Sequence, residues 1–128
     1  MARWIPAFEL QSIQIRIAEA SAKIDAARLI MRRACIDAQR EAAAERVPDL
    51  LQKLRYRRDG AFSVDLCREA VSMLFSISGA RELYMSGAVQ RLFRDAQAIA
   101  AHISFSFDVA GSQYGKVALG LPNENAVL

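Results

Sequence analysis

The sequence predicts an all-α fold, an up-down bundle of three or four helices with an extended C-terminal tail, and three observations predict it. Ile13, Ile17, Ala20, Ile24, Ala27, Met31 and Ala34 recur at alternating spacings of four and three, a bundle seam kept over three heptads. A second apolar run, from Val64 to Ile77, also repeats at helical spacing. Nothing in the 128 residues reads as strands enough to build a sheet. The length is that of a single domain, 1–128, large enough to bury a core, and 53% apolar content argues against disorder.

The first helix is expected from about residue 7 to about 45, with Pro6 at its first turn and VPD, 47–49, ending it. The small seam residues Ala20, Ala27 and Ala34 let a neighbour approach closely, which favours an antiparallel bundle. A second helix starts near Asp49 or after Gly60 and runs to Ser78, carrying Val64, Cys67, Val71, Leu74 and Phe75 inward. Because it is apolar nearly all round, it must be covered on more than one side, by bundle partners or by another subunit. Gly79 suits the residue after its end, and Gly87 separates the connector ARELYMS from a third helix whose core side holds Val89, Leu92, Phe93, Ala96 and Ile99. After Phe107, three glycines, a proline and Asn/Glu residues read as an ordered but irregular tail.

Composition narrows the function classes. No apolar run approaches the roughly 20 residues of a membrane span, and Met1 to Leu10 lacks the plan of a signal peptide, so a cytoplasmic protein is expected, with no membrane partner. Cys35 and Cys67, with no CxxC and no companion histidine, support neither a disulfide framework nor a metal site and read as small core residues. Of 17 basic residues 14 are arginine, the side chain suited to forked binding of phosphate and carboxylate. The densest basic cluster, RYRRDG at 55–60, has no groove-reading or single-strand motif around it and reads as a solvated helix start, so no nucleic-acid partner is expected.

The stretch QRLFRDAQAIAAH, 90–102, holds the chain's single histidine. At about 100° per residue, positions 91, 95, 98 and 102 fall in one sector, so one helix face is expected to present Arg91, Asp95 and His102. On spacing alone this reads first as an Arg/Asp pair at i,i+4 and a histidine that caps or faces solvent.

The neighbouring sequence adds to that. FSISGARELYMSGAVQRLFRDAQAIAAH, followed by FDVAGSQYGKVALGLP, resembles the C-terminal helical domain of the acyl-CoA dehydrogenase fold, in its flavin-dependent monooxygenase branch. A Gly-Ala turn precedes a QRxxRD helix start, a histidine follows seven residues after the aspartate, and a Tyr-Gly…Leu-Gly tail closes the chain. RIAEASAKIDAAR, 16–28, belongs to the same resemblance, which runs over essentially the whole chain. The proline usual before the QR pair is replaced by Gly87-Ala88-Val89, and the position of the dehydrogenases' catalytic glutamate is Ile103, which cannot abstract a proton. Where dehydrogenases carry a flavin-contacting glutamine this chain has Ser76.

The resemblance implies the C-terminal domain of a two-component aromatic hydroxylase that uses reduced FMN or FAD and O2, supplied by a separate flavin reductase, and acts on an aromatic or phenolic small molecule. It gives His102 a catalytic place, as acceptor of a phenol's proton or as hydrogen-bond partner beside the flavin, and it gives Arg91 and Arg94 flavin-phosphate contacts near a helix N-terminus. Arg94 serves equally as an intersubunit salt bridge, Asp95 would hold an arginine in place, and Arg3 sits where related folds put a flavin-contacting arginine. Related chains are roughly three times as long, with an N-terminal helical domain and a β-domain that are absent here, so this chain is expected to be inactive alone and to form a homodimer or tetramer. The other readings are a non-catalytic helical oligomerisation domain and a fragment of an acyl-CoA dehydrogenase.

Overall fold

The computed structural model describes residues 6–79, 84 and 87–123, and among these every regular element is helical. Pro6 opens a single 3-10 turn, Ala7–Glu9, in which the Glu9 N–H donates to the Pro6 carbonyl at 2.9 Å. Leu10, extended at ψ 123°, then starts α1, Gln11–Ala43. Its 33 residues, about 50 Å of helix, run unbroken through Ala20–Ile24 as the seam requires. α1 stops at Ala43, and Glu45 takes a positive φ of 51°, so VPD forms the connection that follows.

Asp49 begins α2, Leu50–Ile77, its carboxylate accepting from the Gln52 N–H at 2.8 Å as an N-cap. The start therefore lies before Gly60, which sits inside the helix with open space where a side chain would stand. Ser78 caps the other end, and Gly79, at φ +83°, takes the left-handed position expected of it. α1 and α2 are antiparallel: Lys23 pairs with Glu69, Ala27 with Ser63 and Arg33 with Asp59, the number rising on one helix as it falls on the other. Their contact is built from small residues. Ala20, Ala27, Ala34, Ala61 and Ala70 are buried, and Leu54 is the one large side chain fully buried among the described residues.

Both later helices rest on α2, which is thus covered on several sides as its composition demands. α3, Ala88–Ala100, stacks Phe93 on Phe75 with ring centres 4.6 Å apart, and Gln97 donates to the Ser72 hydroxyl at 3.0 Å. A 3-10 turn, Ile103–Phe105, leads to α4, Phe107–Ala118, which lays Phe107 on Phe62 at 5.5 Å. α1 and α3 scarcely touch each other across α2.

Three sequence expectations are corrected. The extended tail is helical over its first 12 residues: Phe107, Ala110, Tyr114 and Val117 form a narrow apolar stripe that outweighs two glycines, one of which, Gly111, stands where a methyl group would lie 3.4 Å from the Phe107 ring. RYRRDG is no solvated helix start but the interior of α2, with Asp59 buried and its arginines half-buried against α1 and α4. Cys35 and Cys67 are exposed, because the alanine seam and not the wider apolar arc makes the α1–α2 contact. The connector ARELYMS falls outside the described residues except for Tyr84, which is exposed.

Candidate functional site

The stripe expected on α3 is shorter than the wheel suggested. Gly87, the N-cap of α3, has no side chain with which to cap it. Arg91 Nε stands 3.8 Å from Asp95 Oδ2, one turn on, and both side chains are mostly in solvent. Such a pair is worth a few tenths of a kcal/mol, about 0.3–0.5, and leaves the guanidinium able to turn toward another anion. Arg94 is exposed on the same outer side of the helix. Arg3 lies outside the described residues.

His102 does not continue that helix face. α3 ends at Ala100, and His102, at ψ 135°, is the N-cap of the Ile103–Phe105 turn. Its Nδ1 accepts the Ser104 N–H at 3.2 Å, and its ring lies 6.0 Å from that of Phe105. Accepting at Nδ1 places the neutral ring's proton on Nε2. The exposed edge is therefore an N–H donor. About 14 Å of helix axis separates Arg91 from the end of α3, so the arginines and the histidine form two patches. Ile103 is exposed beside His102, and Ser76 Oγ donates to the Met73 carbonyl at 2.7 Å.

Two features were hidden in the sequence. The first is a buried ion centre: Asp59 accepts from Arg33 Nη2 of α1 at 2.8 Å and from Arg58 Nε of α2 at 2.9 Å. Arg58 lies over the Tyr114 ring at 4.2 Å, and Arg57 Nη1 donates to Gln113 Oε1 at 3.4 Å, so α4 is tied to the same centre. A signal existed, since residues 33 and 59 lie equally far from the connection and must meet in an antiparallel hairpin. The second is an apolar groove between α1 and α3, floored by α2. One stretch, about 540 Å³, runs between Ile24 and Met31 of α1 and Ala96 and Ile99 of α3, with Cys67 on its floor. The next, about 530 Å³, lies between Ile13 and Ile17 and Val89 and Leu92. Neither stretch is lined by His102, Arg91 or Arg94. Among the described residues no helix is long and apolar enough to cross a membrane, and no cluster of three or more His, Cys, Asp or Glu residues could hold a metal.

Comparison with known proteins brings these features together. The profile described as "Acyl-CoA dehydrogenase, C-terminal domain" matches residues 5–107. The FADH(2)-dependent resorcinol hydroxylase oxygenase component of Rhizobium sp. (strain MTP-10005) is 40% identical, over 88% of this chain and 29% of its own. The p-hydroxyphenylacetate 3-hydroxylase oxygenase component of Acinetobacter baumannii is 30% identical, over 84% of this chain and 25% of its own. The crystal structure of 3-HSA hydroxylase from Rhodococcus sp. RHA1 superposes with a TM-score of 0.85 at 31% identity, over 91% of this chain and 31% of that one. The chain thus spans between a quarter and a third of the length of these relatives.

Proposed function

Since the chain belongs to the acyl-CoA dehydrogenase C-terminal domain family, we propose that it is the C-terminal helical domain of a flavin-dependent monooxygenase that hydroxylates an aromatic or phenolic substrate with a separate flavin reductase. The observation that carries this reading is the 40% identity to an oxygenase component across 88% of the chain. Ile103 supports it against a dehydrogenase, since no carboxylate stands there to take a proton from an acyl chain.

The described residues fit a flavin as one side of its site. Arg91 and Arg94 stand in the first two turns of α3, whose N-terminal dipole favours an anion, and they would hold the cofactor's phosphate. The bound flavin, reduced, supplies the oxygen chemistry. Walls for its ring system would have to come from outside the described residues. His102 has a sharper role than its residue type gives it. With Nδ1 committed to the Ser104 N–H, accepting a substrate's proton there would break that bond, whereas Nε2–H is free to donate. We therefore assign His102 to hydrogen-bond donation beside the reacting oxygen, where a fixed donor stabilises developing negative charge. Self-association follows from the apolar surface left on α1 and α3.

The test is made on the complete polypeptide that carries this domain, by rapid mixing of reduced flavin, substrate and O2. His102→Ala should slow hydroxylation by about 10²–10³, the usual worth of one such donor, with reduced-flavin affinity unchanged and more O2 released as peroxide. His102→Gln, which keeps an N–H donor, should recover part of the rate. Arg91→Ala or Arg94→Ala should instead weaken reduced-flavin binding by about 10- to 100-fold, the loss of one charge-assisted contact. Wild-type hydroxylation in His102→Ala would remove the histidine from the site, and unchanged flavin affinity in both arginine variants would remove the phosphate contacts.

A further inference from the structure

A smaller cavity opens on the face of the α1–α2 hairpin opposite the groove, beside the start of α4. It measures about 340 Å³, at the lower end of the roughly 300–1,000 Å³ of small-molecule sites. Ile30 of α1, Phe62 of α2 and Phe107 of α4 make an apolar wall, and Arg33, Arg58 and Asp59 make a polar one. It shares no lining residue with the groove, and Arg91, Arg94 and His102 take no part in it.

Charge and geometry make the polar wall a receptor for an anion. Two guanidiniums meet one carboxylate in the lining, which leaves one positive charge unbalanced there. Arg33 spends a single N–H on Asp59 and Arg58 spends Nε and Nη2, and no other acceptor among the described residues takes their remaining N–H groups. Asp59, 3% exposed, fixes both forks, and Tyr114 holds the flat face of Arg58 at 4.2 Å. The donors are therefore pre-set and lose little freedom on binding. A planar carboxylate accepts such a fork, and one surplus charge matches a monoanion better than a phosphate. The other wall selects the body of the ligand. The Phe62 and Phe107 rings, with centres 5.5 Å apart and planes at 47°, form a corner for a flat apolar group.

We propose that this cavity binds a single-ring aromatic carboxylate, with the carboxylate on Arg33 and Arg58 and the ring against Phe62 and Phe107. None of these residues is among those assigned to flavin or to proton chemistry, so the site does not rest on the function proposed above. An acid bound here bridges α1, α2 and α4, and it tightens the domain without entering the reaction.

The probe is para-fluorobenzoate. Its fluorine resonance should shift and broaden saturably as the chain is added, with a Kd of about 0.1–1 mM, ordinary for so small a ligand. Overhauser contacts should run from its ring protons to those of Phe62 and Phe107. Para-fluorobenzamide, which keeps the shape without the charge, should bind at least about 10-fold more weakly, and acetate, the charge without the ring, should displace the probe as poorly. Arg33→Ala should weaken binding by at least about 10-fold, the loss of a charge-assisted contact, and Arg33→Lys should recover part of it. Arg28→Ala, on the groove side of α1, should change nothing. No saturable binding below about 10 mM, equal affinity for the benzamide, or displacement by inorganic phosphate at lower concentration than by unlabelled benzoate would overturn the proposal. Unchanged binding in Arg33→Ala would overturn it too, placing the acid elsewhere on the chain. Should Arg33→Ala fail to fold, the Overhauser contacts in the unaltered chain decide alone, and contacts to other side chains than Phe62 and Phe107 refute the site.

Discussion

Removal of the Asp59 carboxylate tests most directly what ties α1, α2 and α4 together. The side chain is 4% exposed and accepts from two guanidiniums, so Asp59→Ala leaves Arg33 and Arg58 facing each other with no anion between them. Breaking a fully buried pair costs about 3–5 kcal/mol. Here Arg33 and Arg58 are 46% and 26% exposed and rehydrate in part, which lowers the expected cost to about 2–3 kcal/mol. With a urea slope of about 1.5 kcal/mol/M, the midpoint should fall by about 1–2 M. Arg33→Ala, removing the more exposed partner, should cost about 1 kcal/mol, and the double variant should cost less than the two added, because the single changes remove the same contact. Urea unfolding followed by circular dichroism at one fixed protein concentration gives all four numbers, the fixed concentration holding any association constant. If Asp59→Ala costs under about 0.5 kcal/mol, no more than an exposed charge such as Asp95 should, the centre holds nothing together and the reasoning fails.

Other outcomes follow from single positions. Gly115→Ala should stabilise the chain by about 0.5–1 kcal/mol, because the glycine is helical and no atom lies within 4 Å of the added methyl, and a lower melting temperature would count against α4. Gly79→Ala should destabilise by about 1 kcal/mol through its positive φ, measured in the same way. The Lys23 ammonium is raised above its ordinary 10.5 by the hydrogen bond to Glu69, so that pair's contribution is present below about pH 10.5 and lost as pH rises through the folded value. The Arg46 guanidinium holds the Glu41 carboxyl below its ordinary 4.5, so its contribution is present above about pH 4.5 and lost as pH falls further. Melting temperatures from pH 3 to 11 should show both limbs, with Glu69→Gln flattening the alkaline one and Glu41→Gln the acid one.

Periodicity carried the fold where local and tertiary demands agree. The seam from Ile13 to Ala34 fixed the length of α1, and Gly79 marked the end of α2, because spacing and backbone freedom are local properties. α4 was obscured by Gly111 and Gly115, although its stripe of 107, 110, 114 and 117 was there to be counted. Asp59 was masked by three neighbouring arginines, since a carboxylate's partner on another helix leaves no trace in its own segment. At the site, the helical wheel assumed that α3 reached His102. The backbone instead leaves the helix after Ala100, and the hydrogen bond from Ser104 fixes an imidazole edge that residue type alone leaves open.

The alanine seam inverts the usual map of mutational tolerance. Ala20, Ala27, Ala61 and Ala70 are nearly inaccessible, and contacts so small bring α1 and α2 toward the lower end of the 8–10 Å range of interaxial distances. In an isolated chain, exposed large residues such as Leu29 should accept polar replacements, whereas Ala→Leu at the seam should cost about 1–3 kcal/mol by overpacking. Such a change acts at a distance, because both later helices are mounted on α2. A wedge at Ala27 would reset the gauge at which Arg33 reaches Asp59 and, through Arg58, the pitch of α4, so a few added carbons far from the surface would shift the groups that the later helices carry.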